Sequence, residues 1–182
     1  MKKRIAVLLA LGLAATAAPA QILRLDLDGM IERTDNAVYA EIVNRHVFRV
    51  DDPVDGPELY YTTLTLRGRS LMDDTQMTVQ VTYPGGFINE TEGVWNSEAP
   101  TMDDTRIGNR VVAFYKWSDN LGGRVAANAL YTSHGGIYRT VDSADQTVVM
   151  GRGDGYAIEN NLELKDLRTA IAHIQFAQKE AK

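Results

Sequence analysis

Stretches of strict side-chain alternation limit this chain more than any other feature. Val38, Ala40 and Ile42 alternate with Tyr39, Glu41 and Val43, and Met77, Val79, Val81 and Tyr83 alternate with Thr78, Gln80 and Thr82. A period of two sends successive side chains to opposite faces, so each segment reads as a strand with one face toward a core. Between them lies a third strand, with Tyr60, Thr62, Leu64 and Leu66 on one side and Tyr61, Thr63 and Thr65 on the other. Its tyrosines, threonines and leucines suit a half-buried pleated surface. The first strand can run on through Val47 and Phe48, and the cluster Asp51-Asp52-Pro53-Val54-Asp55-Gly56-Pro57 then turns the chain.

The second half is more broken. Phe87 to Gly108 reads as one long loop holding Trp95 and Asp103-Asp104, a length typical of functional or disordered segments. Val111 to Trp117 is an apolar run of strand length, expected to be buried on both faces. Shorter strands are expected at Ala129–Ser133, Gly136–Val141 and Thr147–Met150, and Gly151-Arg152-Gly153-Asp154-Gly155 is a tight glycine loop. Two helices flank the β part. Asp26 can cap a short one in which Leu27, Met30 and Ile31 share a face. Leu164, Leu167, Ile171 and Ile174 fall at helical spacing near the C-terminus. The pattern predicts a mainly β fold: a small OB-like five-stranded barrel whose open seams are covered by a short N-terminal helix and a C-terminal helix, with a generic sandwich as the alternative.

The first residues predict export. Lys2, Lys3 and Arg4 precede an apolar run from Ile5 to Ala15, and Ala18-Pro19-Ala20 places small side chains at −3 and −1 of a cut after Ala20. That is the order of a secretory signal peptide over residues 1–20, and the run falls short of the ~20 apolar residues a membrane helix needs. Residues 21–182 then form a single domain, long enough to bury a core without staples. It has to do so, because the chain has no cysteine. A cysteine-free exported chain reads as bacterial, destined for the periplasm or the medium, with no stable membrane anchor after cleavage. Loss of the three leader bases takes the formal net charge from −5 to −8. Such an acidic domain is a poor partner for nucleic acid or anionic lipid.

Three segments carry a resemblance: Asn36-Ala37-Val38-Tyr39-Ala40-Glu41-Ile42-Val43, Val79-Gln80-Val81-Thr82-Tyr83-Pro84-Gly85-Gly86, and Ile107-Gly108-Asn109-Arg110-Val111-Val112-Ala113-Phe114. With Gly136-Ile137-Tyr138-Arg139-Thr140-Val141 as a closing hairpin and Leu164-Lys165-Asp166-Leu167 opening the last helix, the order resembles uncharacterised exported bacterial domains with an OB-like barrel. The barrel type is also similar to that of netrin-like and tissue-inhibitor modules. Those are disulfide-rich and this chain has no cysteine, so no inhibitory residue carries over. The resemblance implies a fold and brings no established activity with it.

The chemistry-bearing residues are sparse. His46, His134 and His173 are the three histidines, none with a second at i+4 for a zinc helix, and no Gly-x-Ser-x-Gly elbow is present. Asp51, Asp52, Asp55 and Glu58 form an acidic turn with enough oxygens to consider Ca²⁺, although the spacing is not that of an EF-hand. Asp103-Asp104 is a second acidic pair. Arg152-Gly153-Asp154 spells an adhesion tripeptide, which the positive-φ needs of a glycine turn also explain. Among the aromatics, Tyr83 and Trp117 are in phase with core positions, whereas Trp95 stands in the long loop. Trp95, Phe87, Tyr60 and Tyr61 are therefore the candidate contact residues, since exposed aromatics anchor ligands. The leading expectation is an exported, non-catalytic module for a protein, peptide or glycan partner. The alternatives are a hydrolase using carboxylates such as Asp103 or Asp154, or a Ca²⁺-binding envelope protein; no other cofactor is expected.

Overall fold

The computed structural model describes residues 25–51, 56–143 and 145–180. The expected leader, residues 1–20, lies outside them. The first element, α1 (Leu27–Arg33), starts where expected: the Asp26 carboxylate accepts a hydrogen bond from the Gly29 backbone N–H at 2.8 Å. That satisfies one of the donors a helix start leaves unpaired.

Among the described residues ten strands follow: β1 (Asn36–Val50), β2 (Leu59–Ser70), β3 (Gln76–Pro84), β4 (Gly86–Phe87), β5 (Gly93–Val94), β6 (Arg110–Ser118), β7 (Ala127–Leu130), β8 (Ile137–Ser143), β9 (Gln146–Val149) and β10 (Leu162–Glu163). The chain ends in α2 (Leu164–Glu180). β1, β2 and β3 form an antiparallel meander, and β3 meets β7 in parallel at Thr82 and Ala129. β7 pairs with β6, and β6 returns to β1, so five strands in the order β1-β2-β3-β7-β6 close into a barrel. The protein is thus a mainly β, closed five-stranded barrel with a short helix near the N-terminus and a C-terminal helix. β8, β9 and β10 continue the sheet outward from the N-terminal half of β6.

The alternation decides what lies inside. Val38, Ala40 and Ile42 of β1, Leu64 and Leu66 of β2, and Val79, Val81 and Tyr83 of β3 fill the barrel with Val111, Ala113 and Tyr115 of β6. Gly68 allows the tight bend of β2 over β1, since a methyl group there would overlap the Tyr39 carbonyl oxygen and Ala40. A second core lies outside the barrel wall. Ala37, Val112, Phe114, Tyr138 and Val149 point outward and are covered by Met30 and Ile31 of α1 and by Leu167 and Ile171 of α2. β6 serves both cores, which explains its unbroken apolar run.

Trp117 departs from expectation. It continues the inward phase of Val111, Ala113 and Tyr115 yet is 52 % exposed. Phase predicts a face only while the strand still borders the core. Beyond Tyr115, β6 has left β1 and pairs only with β7. There the Trp117 backbone N–H bonds Asp35 and its indole N–H donates to Asp119, each at 2.7 Å.

Candidate functional site

The expected long loop is two structures in series. Its first part is the β4–β5 hairpin, with Gly86 opposite Val94 and Phe87 opposite Gly93. The hairpin is seated on the β1–β2 ribbon through Gly85 and Gly86. The Gly85 N–H bonds the Tyr60 carbonyl at 2.7 Å, and the Gly85 carbonyl accepts from the buried Thr62 hydroxyl at 2.7 Å. Gly86 has φ +133°, and a side chain there would overlap the Thr62 hydroxyl and crowd Val47, so only glycine lets the hairpin sit this low. Seated there, the hairpin leaves Phe87, Ile88, Val94 and Trp95 in solvent.

Trp95 is 81 % exposed. It stands at a cleft of about 340 Å³ lined also by Glu58, Tyr60, Tyr61, Val94, Asn96 and Ser97. Three of the four aromatic candidates, Trp95, Tyr60 and Tyr61, therefore meet at one place. Phe87 is on the same hairpin and exposed but does not line the cleft. Tyr61 differs in kind. It is 2 % exposed, donates its hydroxyl to the Leu121 carbonyl at 2.8 Å and stacks on Phe48 at 5.7 Å. Burial pushes its phenol pKa up. It forms the floor of the site, and Tyr60 and Trp95 form its reachable surface. Asn96 supports the Trp95 turn by donating to the Pro84 carbonyl at 3.1 Å and accepting from the Glu98 N–H at 2.9 Å.

Glu58 is the acidic residue of this cleft and is already engaged, 3.0 Å from Arg49, which also lies 3.8 Å from Glu92. Of the expected calcium turn, Asp52 and Asp55 lie outside the described residues and Asp51 is exposed. Among the described residues no group of three or more histidines and carboxylates is gathered for a metal.

The second part of the loop folds back against the barrel. The Gly108 N–H bonds the Ile42 carbonyl at 2.8 Å, and the Ile42 N–H bonds the Asn109 carbonyl at 2.9 Å. Asp104 anchors this part from inside. Its carboxylate meets Arg152 at 2.8 Å and Arg139 at 3.3 Å. Burial alone pushes the Asp104 carboxyl up, but hydrogen bonds from Arg152 and Thr101 and the charges of Arg152 and Arg139 outweigh it, so its pKa is lowered. Arg152 also donates to the Ile137 carbonyl at 2.9 Å and lies over the Tyr138 ring at 5.8 Å. The arginine of the adhesion-like tripeptide thus holds two loops together and is not offered to a partner. Asp103, by contrast, is exposed and bonded to Arg106 at 2.6 Å.

None of the histidines lines the Tyr60–Trp95 cleft. His46 stacks on Phe48 at 6.1 Å, and His173 is exposed on α2. His134 contacts the Glu98 carbonyl at 2.9 Å through Nδ1 and the Tyr156 hydroxyl at 3.0 Å through Nε2, linking the turn after β7 to two loops. Among the described residues no helix is long and apolar enough to cross a membrane. No family model, curated protein or solved structure matches the chain.

Proposed function

We propose that this chain is an exported, non-catalytic binding module on an OB-like barrel, holding a protein segment, peptide or glycan in the cleft between Tyr60 and Trp95. The observation that carries this reading is Trp95, the most exposed large apolar side chain described, at the edge of an aromatic-lined cleft. Burying an indole contributes a few kcal/mol, and Trp is prominent among interface anchors. An aromatic face flanked by Glu58, Asn96 and Ser97 suits a ligand with apolar surfaces and hydroxyl or amide edges. The OB-like reading draws on the strand order and the single parallel contact between β3 and β7. Export to the periplasm or medium draws on Lys2–Arg4, the run Ile5–Ala15 and Ala18-Pro19-Ala20.

The hydrolase alternative draws little support from the same geometry. Acid–base glycosidase chemistry needs two carboxylates about 5–9.5 Å apart across a substrate. Of its candidates Asp103 and Asp154, Asp103 is exposed, paired with Arg106 and does not line the Tyr60–Trp95 cleft, whose own acidic residue, Glu58, is paired with Arg49.

The test is titration of the tryptophan fluorescence of the chain with soluble oligosaccharides and with extended peptides. Trp117→Phe removes the other exposed indole as a control. A ligand of this site shifts the emission of wild type and Trp117→Phe alike. Trp95→Ala abolishes the shift and weakens binding at least about tenfold, with an unchanged melting temperature. Full affinity in Trp95→Ala would remove this cleft as the site.

A further inference from the structure

A bulge in β1 turns an arginine toward the inside of the barrel. Up to Ile42 the inward residues are Val38, Ala40 and Ile42. Continued alternation would place Asn44 inside, but the register shifts between Ile42 and Asn44, and Arg45 becomes the partner of Leu64. Directly paired residues of antiparallel strands share a face. Leu64 is fully buried in the barrel core, so Arg45 stands on the inner face as well. Re-aiming a side chain is what a bulge does.

Among the described residues Arg45 has no counter-charge there. Its Nε–H is out of contact with solvent and has no hydrogen-bond partner, and it makes no ion pair among the described residues. Arg45 is half-buried and its guanidinium keeps its charge, and a donor shut off from water without an acceptor is costly. Arg49, on the same face of the same strand, shows the usual remedy, with Glu58 and Glu92 beside it. Arg45 instead lines a cleft of about 460 Å³ with Met102, Asp103, Thr105, Arg106 and Ile107. Asp103 is occupied by Arg106, so the lining carries one uncompensated positive charge on a chain that is acidic overall. Met102 and Ile107, both exposed, supply large apolar surface around it.

We propose that this cleft, which shares no residue with the Tyr60–Trp95 site, binds a small monoanionic amphiphile: a carboxylate that pairs with Arg45 and carries an apolar body that packs on Met102 and Ile107. One cation matches one negative charge, and the guanidinium fork matches the two oxygens of a carboxylate. A compact dianion would leave the apolar surface uncovered and would face Asp103.

The test is calorimetry and ¹⁵N-detected arginine Nε–H spectroscopy on the full chain with octanoate, octanol and inorganic phosphate. Octanoate is expected to bind and to move the Arg45 Nε–H signal, with octanol and phosphate each at least about tenfold weaker. Arg45→Met should bring octanoate down to the level of octanol. Should that variant fail to fold, Met102→Ser, at an exposed position, carries the test by weakening octanoate severalfold while leaving the weak phosphate affinity unchanged. Equal binding of octanoate and octanol, tighter binding of phosphate, or no octanoate binding would each overturn the proposal. So would undiminished affinity in folded Arg45→Met or in Met102→Ser.

Discussion

The outer wall of the barrel backed by the helices and the wall carrying the β4–β5 hairpin use similar apolar side chains and leave them in opposite states. On the first, Val112, Phe114 and Tyr138 point away from the barrel and vanish beneath Met30, Ile31, Leu167 and Ile171. On the second, Phe87, Ile88, Val94 and Trp95 remain in water. The hairpin is itself the last layer there, held by backbone bonds at Gly85 and by the close fit of Gly86, so its outer apolar residues have nothing left to pack on. Scattered surface hydrophobics need no explanation, but four on one short hairpin form a patch of the kind that marks an interaction surface. The contrast gives the helix-backed side the buried contacts that hold the fold and leaves the hairpin side as the proposed recognition surface.

The largest expected effect tests the covered side. Leu167→Ala should cost about 2–5 kcal/mol, the range for truncating a fully buried leucine, read by denaturant unfolding. A loss below about 1 kcal/mol would mean α2 is only lightly docked, and the contrast would weaken. The next effect belongs to the Asp104 anchor that holds the rest of the long loop. Asp104→Asn keeps the shape and removes the charge between Arg152 and Arg139. The half-exposed Arg139 reduces the loss from that of a fully buried pair to about 2 kcal/mol. Because the folded state lowers the Asp104 pKa, its contribution is complete above the ordinary carboxylate range near pH ~4. It is lost as pH falls through the folded value, so the variant should lose stability less steeply than wild type on acidification. Parallel acid profiles would show that other carboxylates control that limb. The smallest expected effect is on the bare side: Trp95→Ala should change unfolding free energy by no more than about 0.5 kcal/mol. A larger loss would show that the indole supports the fold, and the division between the two walls would no longer hold.

Much of the architecture was legible in the residues. The alternation at Val38–Val43, Tyr60–Leu66 and Met77–Tyr83, the doubly buried run at β6, the Asp26 cap and the spacing of Leu167 and Ile171 all recur in the structure. Of the site, Trp95 was legible because a large apolar residue in a glycine-flanked loop has no periodic core position to occupy. Its meeting with Tyr60 was not, since 35 positions separate them and the hairpin brings them together. The hairpin did leave a trace, with Phe87-Ile88 and Val94-Trp95 flanking a polar turn and glycines at 85, 86 and 93. The Asp104–Arg152 pair had no local signal, since neither residue's neighbours indicate a partner 48 positions away.

Local preference and periodicity, acting over a few residues, were enough to determine strands, helices and which faces are apolar, because those depend on backbone geometry that repeats along the chain. The tertiary structure alone decided where an apolar face ends up and which charge meets which. Trp117 lost its core because the barrel stops before it, and Arg45 came to the inner face of β1, half-buried at a cleft, because one extra residue in β1 reversed the alternation. Both outcomes depend on neighbours distant in sequence, and a period of two carries no information about where those neighbours lie.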